Sequence, residues 1–191
     1  MLRKLTLYAF SLSILSFSLF LSSCDDDDDP VAENEAEVIT QITLTFNDGT
    51  NTVTGTYLDA DGDGPGSGVF TPTTIQLDAN TTYDLSITFA NTLENPVEDK
   101  TTEIRDEDHE HQIFFSYTGG VFTNASTNYT DMDENSLPVG LSTNWTTGAT
   151  ASTTGNFTVT LKHQPDGIKT ATSTINDGET DIAQTFSIEL Q

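Results

Sequence analysis

The amino-acid sequence predicts an all-β domain, and three observations support this prediction. Thr, Asn, Gly and Asp are abundant, no long segment shows the apolar period of an amphipathic helix, and short runs of alternating apolar and polar residues recur along the chain. Between these runs lie turn signals such as Asn-Asp-Gly at 47–49 and 176–178 and Thr-Gly-Gly at 118–120. We therefore expect strands joined by turns, and no helix.

The predicted strands begin with the run VITQITLTF, where alternation is expected to bury Val38, Ile42, Leu44 and Phe46 on one face. The same alternation marks strands at 83–89, 141–145, 157–161 and 182–190. Further strands are expected at 52–58, 73–77, 111–118 and 122–130. About eight or nine strands in a single domain at 38–191 predict an antiparallel β-sandwich of immunoglobulin-like type.

One segment, at 91–108, departs from this pattern. It shows little alternation of apolar and polar residues, and it contains Pro96, which cannot donate a backbone hydrogen bond to a neighbouring strand. We expect it to form a long exposed connection at one end of the sandwich.

The first 23 residues have the features of a lipoprotein signal peptide. Arg3 and Lys4 precede an apolar run at 5–21, which at about 17 residues is short for a membrane span. The run ends in Leu-Ser-Ser-Cys, which resembles a bacterial lipobox, and Cys24 is the only cysteine. We expect Cys24 to be the lipidated first residue of the mature protein. The alternative is a signal peptide followed by a chance cysteine, and either way no disulfide can form within the chain.

Residues 24–37 are expected to form a disordered acidic tether, because DDDDDP and VAENEAEV combine a block of like charge with no apolar periodicity. The whole chain has 6 Lys+Arg and 30 Asp+Glu. Removal of residues 1–23 takes away Arg3 and Lys4 but no acid, which leaves a net charge of −26. This charge excludes nucleic acids as partners and favours cations or a basic protein surface.

The three histidines form the first candidate site. His109 and His111 would point to the same side of an extended strand, and His163 continues the apolar row of the strand at 157–161. If the two strands meet at that end, three imidazoles could bind Zn²⁺, with a carboxylate completing a tetrahedron. The candidate ligands are His109, His111, His163, Glu107, Asp108 and Asp166. The alternative is that these histidines are polar strand-end residues, hydrogen-bonded to neighbouring carboxylates.

Two acidic loops form further candidate sites, for Ca²⁺. In DADGDG, three aspartates at alternate positions are followed by Gly64, as at the start of an EF-hand loop, but Phe70 stands where the bidentate Glu would be. A calcium-stabilised β-loop is therefore expected rather than an EF-hand. The candidate ligands are Asp59, Asp61 and Asp63 in this loop, and Asp131, Asp133 and Asn135 in the second. The alternative for both is an acidic turn without an ion.

Several segments together resemble a known group of proteins. DADGDG, EDHEHQIFFSYTGG, YTDMDENSLPVGLSTNWTTG and FTVTLKHQP are similar to segments of small Bacteroidetes-type surface lipoproteins, some of them labelled "type 1 periplasmic binding fold". That label denotes an α/β fold, which the strand-rich pattern argues against. The resemblance implies a lipid anchor in the outer membrane, facing outside, with the periplasmic face as the alternative. It also implies association with a TonB-dependent receptor, and it supplies no catalytic residue.

Two functions are compatible with these features. The first is a metal-binding accessory lipoprotein that captures Zn²⁺ or a similar ion for a receptor. The second is an immunoglobulin-like interaction or adhesion module that binds protein or glycan, with Tyr117, Tyr129 and Trp145 as aromatic candidates and any ions merely structural. An enzyme is not expected, because the sequence contains neither G-x-S-x-G nor HExxH.

Overall fold

A computed structural model describes residues 37–64, 66–123 and 128–191, which form two β-sheets and one short helix. The elements in chain order are β1 (Gln41–Asn47), β2 (Thr52–Leu58), β3 (Val69–Thr71), β4 (Ile75–Leu77), β5 (Thr82–Asn91), β6 (Glu98–Asp99), α1 (Lys100–Asp106), β7 (His111–Tyr117), β8 (Ser142–Thr146), β9 (Thr154–His163) and β10 (Glu179–Leu190). The predicted signal peptide, Cys24 and the tether as far as residue 36 lie outside the described residues. Within the described ranges, no helix has the length and apolar character needed to cross a membrane.

The first sheet has six strands and is antiparallel throughout. Its order is β3-β2-β1-β5, and the free side of β5 is shared by β6 at one end and β8 at the other. The second sheet has the order β4-β10-β9-β7, in which the β4 and β10 strands are parallel and the other pairs antiparallel. The described residues are thus mostly β-strand and form two sheets, as the sequence predicts.

The core is built from the alternating residues that the sequence indicated. Ile42, Leu44 and Phe46 of β1 are fully buried, and so are the inward residues of β5, β9 and the second half of β10. Trp145 is buried in an aromatic cluster, with ring centroids 5.0 Å from those of both Phe122 and Phe157. Trp145 is therefore a core residue and offers no surface to a sugar.

Val38 was predicted to be buried, and this is wrong, because its side chain is 52% exposed. Paired structure begins only at Gln41, so Val38 lies beyond the end of the sheet and has no facing strand. Thr40 takes the buried position instead, where its hydroxyl accepts a hydrogen bond from the backbone N–H of Thr92 at 2.8 Å.

The strand predicted at 122–130 is also absent from its described residues. Phe122 and Tyr129 each form a single bridge, to Thr147 and Thr143 respectively. The segment follows Gly119 and Gly120, both with positive φ, and its described residues pair with β8 and the residue after it only at these two bridges.

The segment at 91–108 was predicted to be an exposed connection without a helix, and this is wrong. It contains β6 and α1, whose N-cap Asp99 accepts a hydrogen bond from Thr101 N at 3.0 Å. The Thr101 hydroxyl then donates to the Phe89 carbonyl of β5 at 3.1 Å, and Ile104 is fully buried. With only these two buried residues, α1 is too short to produce a visible apolar period.

Candidate metal centre

The pairing of β7 with β9 places His111 directly opposite His163. Their rings are stacked, with centroids 4.7 Å apart and planes 6° from parallel. Both residues belong to the inward rows of their strands, because side chains at alternate positions share a face. His111 is completely buried and the His163 side chain is 13% exposed. Two imidazoles far apart in sequence thus meet at the end of the second sheet.

The surroundings of His111 fix its tautomer. Nδ1 lies 3.1 Å from the carbonyl oxygen of Glu107, which can only accept, so Nδ1 donates and carries the proton. Nε2 is therefore the lone-pair nitrogen, and it is buried without a hydrogen-bond partner. Burial lowers the pKa of His111 to about 4, which keeps the ring neutral at neutral pH. A neutral imidazole with one nitrogen held by a carbonyl is the usual state of a metal-binding histidine.

His163 has the complementary arrangement. Its Nε2 donates to the carboxylate of Glu110 across 3.3 Å, and its Nδ1 is buried without a hydrogen-bond partner. A carboxylate that orients a ligating histidine through its second nitrogen is a common feature of zinc sites. Each ring therefore has one nitrogen bonded to the protein and one nitrogen buried without a hydrogen-bond partner.

Asp181 lies beside this pair and was not among the residues predicted from the sequence. It falls at the irregularity between Thr180 and Ile182, where β10 shifts register against β9. A bulge of this kind redirects a side chain out of the regular alternation. Asp181 Oδ2 lies 4.0 Å from His111 Nε2, the two side chains are 1% and 0% exposed, and neither atom has a hydrogen-bond partner. Burial raises the pKa of Asp181 to about 6.

Glu107 supplies a further carboxylate. Donor atoms of Glu107, His111 and His163 lie within 4.8 Å of one another. A tetrahedral zinc site with bonds of about 2.0–2.1 Å places its ligand atoms about 3.3 Å apart, so the group must contract on binding. Glu107, the C-cap residue of α1, is not buried, so its side chain has room to make that movement.

The carboxylates continue from Glu107 towards the start of the domain. Glu37, Glu103 and Glu107 also bring oxygens within 4.8 Å of one another, and the Lys100 ammonium lies 3.4 Å from Glu37 and 2.7 Å from Glu103. Burial, with the charge of Glu103, raises the pKa of Glu37 to about 7. Burial alone would lower the pKa of Lys100, but its carboxylate partners raise it above the ordinary value. This end of the domain is therefore acidic and only partly neutralised.

His109 does not join the pair. Regular strand structure begins at His111, because residues 107–110 form a turn in which Glu110 N donates to Glu107 O at 2.9 Å. The predicted alignment of His109 with His111 is therefore wrong: its side chain is 50% exposed, with Nε2 3.6 Å from Glu110 Oε1. Asp108 accepts from Lys169 Nζ through its backbone oxygen, and Asp166 occupies a turn with φ 56°. In the described ranges, neither belongs to a group of converging donor atoms.

The first acidic loop brings Asp59, Asp61 and Asp63 together, with donor atoms within 4.8 Å. Asp59 is buried, and its two oxygens accept from the backbone N–H groups of Gly62 and Gly64, each at 3.1 Å. The Asp59 carboxylate therefore organises the loop through its backbone. Calcium binding here stays a prediction.

The second acidic loop is neutralised in part by a buried lysine side chain. Asp131 accepts from the backbone of Gly140 and Leu141, and Asp133 Oδ2 lies 2.9 Å from Lys169 Nζ. The Asp133 and Lys169 side chains are both completely buried, while Asn135 is exposed. The Lys169 ammonium thus neutralises the carboxylate that the sequence suggested as a calcium ligand.

Comparison with protein-family models, with curated proteins and with solved structures finds no match for this chain. The chemistry of the centre is therefore judged from its donor set. Two imidazoles together with carboxylates suit Zn²⁺ and its neighbours in the transition series, whereas Ca²⁺ and Mg²⁺ prefer oxygen ligands alone.

Proposed function

We propose that this protein is a lipid-anchored outer-membrane protein that binds a divalent metal ion, with Zn²⁺ as the best fit. The proposed first ligands are His111, His163 and Glu107. The observation that carries the proposal is the stacked histidine pair, in which each ring has one nitrogen bonded to the protein and the other buried without a partner. Such a pair is costly to bury unless something accepts the free lone pairs, and a metal ion does so.

The sequence supports the proposed location. The lipobox-like Cys24 and the acidic segment after it are those expected of a surface lipoprotein, and the resemblance to such proteins suggests work with a TonB-dependent receptor. A net charge of −26 after cleavage would raise the local concentration of cations around the domain. We propose that the protein captures the ion and thereby assists its uptake.

A second function, binding of protein or glycan by an immunoglobulin-like domain, has one observation in its favour. A groove of about 270 Å³ lies beside β7 and is lined by apolar and aromatic residues that include Phe114, Tyr129 and Met132. Trp145 and its aromatic neighbours contribute to the core instead. Binding of a protein or glycan that survives substitution of both buried histidines would favour this function.

The test of metal binding is calorimetric titration of Zn²⁺ into the full-length chain, purified in detergent and freed of metal by chelator at pH 7.5. We expect one ion per chain, bound at micromolar affinity or tighter, and loss of binding in His111→Ala/His163→Ala. His109→Ala is the matched control, because it removes an exposed imidazole only two residues from His111. Weak, non-stoichiometric binding that is the same in all three proteins would contradict the proposal.

A further inference from the structure

A cavity of about 180 Å³ is lined in part by Asp181, the carboxylate beside His111. Its walls come from the segment that enters β1, from the loop after β2 and from the start of β10. The polar residues of these walls include Glu37, Asp59, Asp181 and Gln184. The DADGDG loop and Asp181, which are distant in sequence, thus border the same cavity.

Asp181 belongs both to the cavity wall and to the histidine pair. Its Oδ2 lies 4.0 Å from His111 Nε2, and the backbone N–H of Glu37 donates to its carboxylate. The Glu37 side chain is itself only 8% exposed, and its Oε2 has no hydrogen-bond partner, although the Lys100 ammonium lies 3.4 Å away. Carboxylates therefore separate the cavity from the imidazoles, and they attract cations and repel anions.

The size of the cavity restricts what it can admit. Sites for drug-sized organic ligands usually have volumes of about 300–1,000 Å³, well above this one. A volume of about 180 Å³ is that of about six water molecules at liquid density. A hydrated ion fits this space, whereas a porphyrin is too large to be enclosed in it.

Charge balance indicates what Asp181 would contribute. Among the proposed first ligands, Glu107 alone carries a negative charge, whereas a divalent ion carries two positive charges. The Asp181 carboxylate would bring a second negative charge into direct contact with the ion. It is also the carboxylate that lies nearest to the free nitrogen of His111 among those in the cavity wall.

We propose that the centre takes the free divalent cation rather than a metal chelate, and that Asp181 is the ligand that receives the ion from the cavity and shares it with His111 and His163. This inference rests on the proposed metal-binding function. It adds Asp181 as a ligand, the cavity as the route by which the ion enters, and the free divalent cation as the species that is bound. Asp181 and the imidazoles must move closer together on binding, because Asp181 Oδ2 lies 4.0 Å from His111 Nε2 and a tetrahedral zinc site places its ligand atoms about 3.3 Å apart.

The experiment measures the affinity of the full-length chain for Zn²⁺ by competition with a chromophoric chelator, and separately its binding of zinc protoporphyrin. We expect Asp181→Asn to weaken Zn²⁺ binding by at least about 100-fold, since even outer-shell partners are worth about 10–100-fold. His109→Ala should leave the affinity unchanged, and zinc protoporphyrin should not bind. Asp181→Ser replaces Asp181→Asn if the latter fails to fold, as judged by circular dichroism.

The possible results distinguish a failure of this inference from a failure of the proposed metal-binding function. If the wild-type chain binds no stoichiometric Zn²⁺, the proposed function itself fails. If it binds Zn²⁺ and loses it in His111→Ala/His163→Ala, but Asp181→Asn keeps its affinity within about threefold, Asp181 is not a ligand and the inference is overturned. Stoichiometric binding of zinc protoporphyrin that depends on the two histidines would overturn the assignment of a free ion.

Discussion

His111 Nε2 and Asp181 Oδ2 face each other across 4.0 Å, both buried and both without a hydrogen-bond partner. A polar group without a hydrogen bond in a protein interior lowers the free energy of unfolding by about 1–3 kcal/mol. These two groups therefore lower the stability of the metal-free protein. A cation between them would satisfy the lone pair of the imidazole and the charge of the carboxylate together. Binding of the ion and stability of the domain are therefore expected to be linked.

Zinc should raise the melting temperature. At a free Zn²⁺ concentration about 100 times the dissociation constant, binding to the folded state alone adds about 2.7 kcal/mol. For a domain of this size that corresponds to a rise of about 5–10 °C, reversed by chelator. Differential scanning calorimetry of the wild type, His111→Ala/His163→Ala and His109→Ala measures it. A rise of equal size in the double variant would place the ion elsewhere.

The pH dependence of the metal-free protein should change in Asp181→Asn. Burial lowers the pKa of His111 from its ordinary value of 6.5 to about 4, so the unfolded chain binds more protons between these pH values and stability falls as the pH drops. Burial raises the pKa of Asp181 from 3.8 to about 6, which has the opposite sign: stability increases as the pH drops from 6 to 4.

In the wild type these two contributions largely cancel between pH 4 and 6. Asp181→Asn removes one of them, and we expect the variant to lose up to about 3 kcal/mol more than the wild type on acidification from pH 6.5 to 4. Urea denaturation at several pH values gives the comparison. Parallel pH profiles of the free energy of unfolding would show that the two groups do not titrate as described.

The buried Lys169–Asp133 ion pair should be a major source of stability for the loops around the centre. Lys169 Nζ lies 2.9 Å from Asp133 and also donates to the Asp108 backbone, which joins three loops. Lys169→Met leaves a buried carboxylate unpaired, and we expect a loss of about 3–5 kcal/mol in urea denaturation. Lys169→Met/Asp133→Asn should recover much of that loss.

The matched control for this prediction is Lys162→Met. Lys162 is also buried, but its ammonium donates to the hydroxyl of Thr180 at 2.8 Å, whereas that of Lys169 lies 2.9 Å from a fully buried carboxylate. We expect a clearly smaller loss than in Lys169→Met. Equal losses in the two single variants would mean that the ion pair contributes nothing specific.

Trp145→Ala should destabilise the domain by about 3–5 kcal/mol, because it removes the largest buried side chain from the aromatic cluster between Phe122 and Phe157. Chemical denaturation followed by far-ultraviolet circular dichroism measures the loss. A loss of less than about 1 kcal/mol in the free energy of unfolding would indicate that the indole is exposed. Trp145 would then again be a candidate for contact with a ligand.

The strands were predictable because most of them bury one face. Alternation in the residues of β1, β5, β9 and β10 gives a pattern of period two that survives in the sequence. The helix α1 was not predictable, since its stability comes from Thr101 and Ile104 packing on β5 rather than from an apolar period of its own. The short β3 and β6 strands likewise depend on a neighbour that composition does not reveal.

The candidate site was predictable only in part. Because alternate residues of a strand share a face, the sequence indicated that His111 and His163 point inward. That they lie directly opposite each other depends on β7 and β9 being neighbours, which the alternation of residues cannot show. Asp181 was missed because a bulge reorients it, and a bulge has no reliable signature in a single sequence. His109 was included because the start of the strand could not be located to within two residues.

The most direct test of the metal centre is X-ray absorption at the zinc edge on a one-to-one complex of the full-length chain. We expect a first shell of nitrogen and oxygen at about 2.0–2.1 Å, with the outer-shell scattering of two imidazoles. In His109→Ala the spectrum should be unchanged. A shell of oxygen atoms alone, without imidazole scattering, would contradict the account, because the ion would then be held by the acidic surface and not by His111 and His163.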